Sequence, residues 1–155
     1  MPEVSHVFLC KIHRFPMHEV LEAFAIGDQG LQGCIHGGKR SSRQILLMDS
    51  ETLARFGLAP GVVKENITTV GMDFQAFQTG MRMRTGEALL EISGPCHPCP
   101  RMDDICQGLQ QELKGQRGWL CRVIEEGTIR RGDAIELAAL PGPVAAREST
   151  TWVQT

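Results

Sequence analysis

The chain has 155 residues and 17.1 kDa, with 42% hydrophobic and 22% charged residues, proportions that match a folded globular chain and exclude wholesale disorder. Sixteen Lys and Arg against eighteen Asp and Glu leave a formal charge of -2, too small a cationic surplus for a chain that lives on duplex nucleic acid or anionic lipid. No apolar run reaches the roughly 18 residues that span a bilayer. Met1-Pro2-Glu3-Val4-Ser5-His6 lacks the basic-then-apolar pattern of a secretory leader, so the expected location is the cytoplasm.

Residues Val4 to His13, rich in Val, Phe and Leu, read as a strand. After the Phe15-Pro16-Met17 break, Glu19 to Ile26 reads as a strand or a short helix. Gly27-Asp28-Gln29-Gly30 and Gly33-Cys34-Ile35-His36-Gly37-Gly38 are loops whose glycines admit positive φ or close approach of a ligand. Gln44 to Met48 is a compact apolar strand. Ser50 through Leu58 then reads as a short helix, with Ser50 as N-cap and Gly57 near its end. Pro60-Gly61 turns the chain into β-prone Val62 to Val70, where Asn66 breaks the regularity.

Between Gly80 and Gly86, Met81-Arg82-Met83-Arg84 alternates an apolar with a cationic face, and Ala88 to Ile92 returns as the second strand of a hairpin. Asp103 or Asp104 caps a helix running to about Lys114, ended by Gly115 and Gly118. Trp119 to Ile124, Thr128 to Arg130 and Ala134 to Ala138 are three short strands between glycine turns. This pattern predicts a mainly β fold, barrel-like or a strongly bent sheet, with two or more short helices. The lack of a strand–helix–strand series argues against a Rossmann or thioredoxin scaffold. A single domain is expected over residues 1–140 and a flexible tail over 141–155, where Trp152 and Val153 offer an apolar contact to a partner.

Six cysteines (Cys10, Cys34, Cys96, Cys99, Cys106 and Cys121) in a chain without a leader pattern are expected to be reduced, serving as packing groups, metal ligands or reactive centres. Pro95-Cys96-His97-Pro98-Cys99-Pro100 is the most informative stretch. Three prolines hold the backbone extended and present two thiols, and His97 and Arg101 favour the reactive thiolate electrostatically. Cys-x2-Cys is also half of a zinc motif, to which Cys106 or Cys121 would have to add ligands, but no second close pair follows. A redox dithiol is the other competitor, without the expected surrounding fold.

His36-Gly37-Gly38-Lys39-Arg40 with Arg43 exposes backbone N–H groups and sets three cations within five positions, which suits a phosphate or another oxyanion, or forms a solvated basic turn. It is not a P-loop, because no Gly-Lys-Ser/Thr stands at the required spacing. In Glu65-Asn66-Ile67-Thr68, Asn and Thr within an apolar strand bond to backbone at a bulge or point into a pocket as ligand-binding groups.

Taken in order, these pieces resemble the MOSC domain, named for the C-terminal domain of molybdenum cofactor sulfurases, in its short standalone bacterial form. The residues that carry the resemblance are Gly27-Asp28, His36-Gly37-Gly38, Glu65-Asn66-Ile67-Thr68 and Gly86-Glu87-Ala88-Leu89-Leu90-Glu91. Pro95-Cys96-His97-Pro98-Cys99, Gly118-Trp119, Gly127-Thr128 and Gly132-Asp133 complete it, over roughly residues 4 to 138. The resemblance implies a barrel-like β fold and a functional cysteine in the Pro-Cys loop. In the sulfurases this domain receives cofactor and sulfur; in the related amidoxime-reducing enzymes a cysteine of the loop ligates molybdenum, as a soft thiolate donor suits. Cys99 matches that metal-binding cysteine, and Cys96 matches the single cysteine of some short members.

On this reading the molybdenum cofactor (molybdopterin) is the expected cofactor, with Cys99 as metal ligand or persulfide carrier and Cys96 as its neighbour or resolving thiol. His36, Lys39, Arg40 and Arg43 would hold the pterin phosphate, and Asn66, Thr68 and Arg101 would line the pocket. No pyridoxal-phosphate desulfurase domain accompanies the motifs, so a sulfur carrier would need a cysteine desulfurase or other sulfur donor and a molybdoenzyme acceptor. The N-terminal domain of the amidoxime reducers and flavin or iron–sulfur motifs are also missing, so a reductase of N-hydroxylated compounds would need an electron-donor protein. A thiol redox module or a purely structural binding module is the remaining alternative. No nucleic-acid or membrane partner is expected.

Overall fold

The computed structural model describes residues 2–12, 16–35, 41 and 43–138. Short apolar-polar alternations punctuated by glycine give eleven strands there: β1 (Glu3–Leu9), β2 (His18–Val20), β3 (Glu22–Ile26), β4 (Gly30–Leu31), β5 (Ile45–Asp49), β6 (Ile67–Val70), β7 (Arg82–Thr85), β8 (Ala88–Pro95), β9 (Trp119–Glu125), β10 (Gly127–Arg130) and β11 (Ile135–Leu137). Three short helices, α1 (Ser50–Arg55), α2 (Met102–Ile105) and α3 (Leu109–Glu112), lie among them. Eight strands form one sheet in the order β11-β7-β8-β9-β5-β6-β1-β2, and β10-β3-β4 form a second.

The large sheet is strongly bent rather than closed. Register shifts between Leu89 and Leu90 and between Ile92 and Gly94 interrupt the β8–β9 ladder, and such irregularities bend a strand. The sheet curls until Glu3 of β1 bridges Ala134, next to the edge strand β11, and the Val4 N–H donates to the Asp133 carbonyl at 2.8 Å. No continuous ladder joins the two, so the bend stops short of a barrel.

The concave face holds the main core, with Val7, Ile45, Leu47, Ile67, Met83, Leu90, Ile92, Val123 and Ile129 buried together. A second cluster, Met48, Leu53, Val63, Met102, Leu109 and Leu113, lies under the helices. Strand β5 is buried at all five positions because its two faces serve different clusters, as an uninterrupted apolar run requires. Leu46 of β5 packs with Leu120 and Cys96 in a third small cluster, which becomes the floor of the site.

The hairpin read from Met81 to Ile92 is present, with Thr85 opposite Ala88 across Gly86-Glu87 and Met83 fully buried. Its cationic face is paired: Arg82 Nε lies 3.0 Å from Glu91 and Arg84 Nη2 3.0 Å from Glu125. Other elements depart from expectation. Glu19 to Ile26 forms two strands hinged at exposed Leu21. Asp49, not Ser50, caps α1, because its carboxylate Oδ2 accepts from both the N–H (3.2 Å) and the hydroxyl (2.8 Å) of Thr52.

Val62 to Val70 is strand only from Ile67, since Gly61 (φ +87°) and Lys64 (φ +69°) turn the chain before it. The helix expected from Asp103 to Lys114 is broken in two at Gly108 (φ +86°), which leaves Cys106 exposed between the pieces. One strand–helix–strand unit does occur: β5 and β6 pair in parallel across α1. The turn His36 to Arg40 and the expected tail, with Trp152 and Val153, lie outside the described residues.

Candidate functional site

The Pro-Cys loop leaves β8 at Pro95, where the missing N–H of proline suits the end of a ladder. It is tied back at once, because the Cys96 N–H donates to the Gly118 carbonyl at 2.9 Å. Beyond Pro98 the loop enters α2 through a tight turn in which Met102 N–H donates to the Cys99 carbonyl at 3.0 Å. The two thiols separate. Cys96 is buried against Leu46 and Leu120, whereas Cys99 is exposed.

Both thiols line a cavity of about 540 Å³, within the range of small-molecule sites. Leu46 and Leu120 contribute to its floor from β5 and β9. The segment before β6 supplies Val62, Lys64 and Asn66; the α2 side supplies Arg101, Met102, Asp104 and Ile105; Ser41, Arg43 and Arg117 complete it. Among these residues four cations, Arg43, Lys64, Arg101 and Arg117, face the single carboxylate of Asp104. Although the chain carries a net charge of -2, these lining residues bring four cations against one carboxylate, which favours an anionic ligand.

Of the residues singled out from sequence, the fold gathers Arg43, Asn66, Cys96, Cys99 and Arg101 around the cavity. Thr68 is not there. Fully buried, it donates its hydroxyl to Glu65 Oε2 at 2.6 Å, and the same oxygen accepts the Gly61 N–H at 2.8 Å. Asn66 reaches the wall with its side chain already engaged: Oδ1 accepts the Leu46 N–H at 3.0 Å, while Nδ2 donates to the Phe8 carbonyl (3.3 Å) and to Cys34 Sγ (3.4 Å). Its polar atoms therefore stitch β5 to β1 across the start of β6. His36, Lys39 and Arg40 lie outside the described residues. His97 lines a neighbouring cavity of about 520 Å³ with Phe74 and Trp119, and Cys96 borders both.

Two features escaped sequence reading. Lys64 and Arg117 each stand alone in sequence, with no pattern to mark them as cavity residues. Cys34 and Cys10, distant in sequence, meet beside Asn66, with the Cys10 N–H donating to Cys34 Sγ at 3.3 Å. Burial, reinforced by Cys34, pushes the Cys10 thiol up, and Lys64 opposes that shift. Burial also pushes the Cys121 thiol far up, which leaves it inert. Among the described residues no three Cys, His, Asp or Glu side chains converge as a metal site.

A sequence model of the MOSC domain matches residues 32–136, a span that contains every residue lining the first cavity. The chain belongs to the MOSC domain family. This family is associated with molybdenum-cofactor sulfurases and reductases. The protein YiiM of Escherichia coli is 32% identical over 137 residues, covering 79% of this MOSC chain and 60% of YiiM. A protein of Gibberella moniliformis named "Reductase" is 33% identical over 88 residues, 54% of this chain but only 16% of that protein. The chain thus spans less than two thirds of the length of either relative. The crystal structure of the YUAD protein from Bacillus subtilis superposes with a TM-score of 0.75 over 91% of this chain and 98% of that one, at 19% identity, which shows a shared MOSC fold. Among the described residues no helix is long and apolar enough to cross a membrane.

Proposed function

We propose that the cavity receives the molybdenum cofactor, or sulfur destined for it, and that Cys99 is the working thiol. The observation that carries this reading is an exposed cysteine on the wall of a cationic cavity in a MOSC chain. The residues fit such a ligand. A single soft thiolate suffices for a metal otherwise held by a pterin, and the orphaned Nε and Nη1 of Arg117 offer N–H donors beside the cavity. When bound, the cofactor would supply redox or atom-transfer chemistry at its metal.

The chain's own residues hold and orient. Pro98 and Pro100 restrict the backbone on either side of Cys99. Arg43 and Arg101 attract an anion to the wall that carries Cys99, and Leu46, Leu120 and Cys96 give the cavity an apolar floor. As a sulfur carrier, the Cys99 thiolate would attack the outer sulfur of a donor persulfide, taking that sulfur while the donor cysteine leaves as thiolate. A desulfurase and a molybdoenzyme acceptor are the partners this requires. The name of the Gibberella relative favours a second reading, a small molybdenum-dependent reductase supplied with electrons by another protein.

The test is metal and pterin analysis of protein purified from a host that makes the cofactor, comparing wild type with Cys99→Ser and Cys96→Ser. Near-stoichiometric molybdenum with pterin, lost in Cys99→Ser and retained in Cys96→Ser, is the expected result. Zinc alone, or molybdenum indifferent to Cys99→Ser, would overturn the metal-ligand role. Sulfane sulfur on Cys99, detected by mass after incubation with a desulfurase and cysteine, separates the carrier from the reductase.

A further inference from the structure

Cys10 and Cys34 meet where the two sheets join. Cys10 follows the end of β1 in the large sheet, and Cys34 lies just beyond β4 in the small one. The Ile35 N–H donates to the Cys10 carbonyl at 2.9 Å, and the Cys10 N–H donates to Cys34 Sγ at 3.3 Å. A backbone bond of that kind sets two segments about 4.8 Å apart, and a disulfide spans Cα atoms roughly 4.4–6.8 Å apart. The backbone therefore already stands at bridging distance. Asn66 Nδ2 also donates to Cys34 Sγ, at 3.4 Å, and helps to hold that sulfur in place. The Cys10 thiol is held only by a weak 3.6 Å contact from Sγ to the Ile12 carbonyl, so little is lost when it turns toward Cys34.

The surroundings assign the order of reaction. Cys10 is 2% exposed, whereas Cys34 is half-buried beside exposed Ile35, which puts Cys34 first in the path of a small oxidant. Burial, then the neighbouring Cys34, pushes the Cys10 thiol up, which suits it to a second step inside the protein rather than to meeting the oxidant. We propose that Cys10 and Cys34 are a peroxide-oxidised pair whose disulfide staples the two sheets together. The Cys34 sulfur attacks one peroxide oxygen; the S–O bond forms as the O–O bond breaks, and the departing hydroxide leaves as water with the thiol proton. The Cys10 sulfur then attacks the Cys34 sulfur; the S–S bond forms as the S–O bond breaks, and the second hydroxide leaves as water with the Cys10 proton. The two thiols lose two electrons and the peroxide gains them. The pair is not the Cys-x2-Cys of the Pro-Cys loop: its members are 24 positions apart, and it needs neither a cofactor nor Cys99.

The experiment treats the full chain with an equimolar amount of hydrogen peroxide, blocks the remaining thiols in denaturant and maps tryptic peptides without reduction. Cleavage after Lys11, Arg14 and Lys39 puts Cys10 on residues 1–11 and Cys34 on residues 15–39. The expected product joins these two peptides, lowers the free thiols by two from six, and reverts with dithiothreitol. Its thermal midpoint should rise by about 5–10 °C, from the loop that the bridge closes, a shift absent in Cys10→Ser and Cys34→Ser. In Cys10→Ser the reaction should stop at the sulfenic acid, trapped by dimedone on residues 15–39. A bridge between Cys96 and Cys99 formed ahead of this one overturns the proposal. So does over-oxidation of Cys34 without the crosslink, or an unchanged thermal midpoint in the bridged protein. A dimedone adduct on Cys10 in Cys34→Ser overturns the assigned order. Should either serine variant not fold, the wild-type peptide map decides alone.

Discussion

Gly118 holds Cys96 in place: its carbonyl accepts the Cys96 N–H at 2.9 Å, and its own conformation, φ +101°, leaves no room for a side chain. A Cβ at this position would sit 2.2 Å from the Leu47 carbonyl oxygen of the adjacent strand. Gly118→Ala is therefore expected to cost roughly 3–5 kcal/mol, from backbone strain and a clash that flexible side chains cannot relieve. Denaturant melts measure that loss. Because the displaced carbonyl anchors the Pro-Cys loop, the same variant should also alkylate faster at Cys96, which a general loss of stability measured at Leu53→Ala would not reproduce to the same degree.

The thiols should react in an order set by exposure. Limited iodoacetamide labelling of the folded apo protein, followed by peptide mapping, is expected to mark Cys99 and Cys106 first and Cys96 more slowly. Cys121, fully buried and shifted strongly upward, should label only on unfolding. Phosphate added at saturation should protect Cys99 but not Cys106, since Cys99 lines the cavity and Cys106 does not. Equal protection of both would break the link between the cavity and this thiol.

Asn66→Ala removes the side-chain partner of the Leu46 N–H, the Phe8 carbonyl and Cys34 Sγ at a site that is 1% exposed. A loss of roughly 2–4 kcal/mol is expected, since buried groups stripped of a partner keep their desolvation penalty. Asn66→Asp keeps the shape and the acceptor but cannot donate when ionised. It should therefore match wild type more closely at acid pH than at neutral pH, read by chemical denaturation at both.

Glu87 is held below the usual carboxylate range by hydrogen bonds from the Arg130 side chain and the Thr128 N–H, in that order of strength. A depressed carboxyl pKa stabilises the fold above the ordinary value of 4.5, and the contribution is lost as pH falls through the lower folded value. Thermal melts of wild type and Glu87→Gln should differ near neutrality and converge as pH falls through the depressed folded value. The exposed setting keeps the effect small. A difference that grew toward acid would contradict the assignment.

The sequence was enough for whatever depends on neighbours along the chain. Alternation in Met81 to Ile92 fixes a hairpin because strand side chains alternate sides with period two, and the Pro-Cys loop is rigid because proline restricts φ locally. The order of the short motifs also sufficed for the family, which the match over residues 32–136 bears out. Element boundaries near Gly61, Lys64 and Gly108 were less legible, because a positive φ at one residue redirects the chain without a change in composition.

Only the tertiary structure decided what each polar residue does. Asn66 and Thr68 read alike as candidate pocket groups, yet one reaches the cavity wall with its amide already bonded across three segments, and the other is turned to Glu65. Asp28, in the Gly27-Asp28 motif, accepts from Gln44 Nε2 at 3.0 Å and pairs with Arg122 at 2.8 Å, which locks a turn onto distant β9. Arg117 carries no local mark at all: it is a cavity residue because the fold bonds its Nη2 to the Val63 carbonyl, far away in the chain, and buries it where no carboxylate pairs with it among the described residues. Periodicity reports which face of an element is apolar, but the partner of a buried charge is set by contacts between residues far apart in the chain, and those exist only once the sheet has bent.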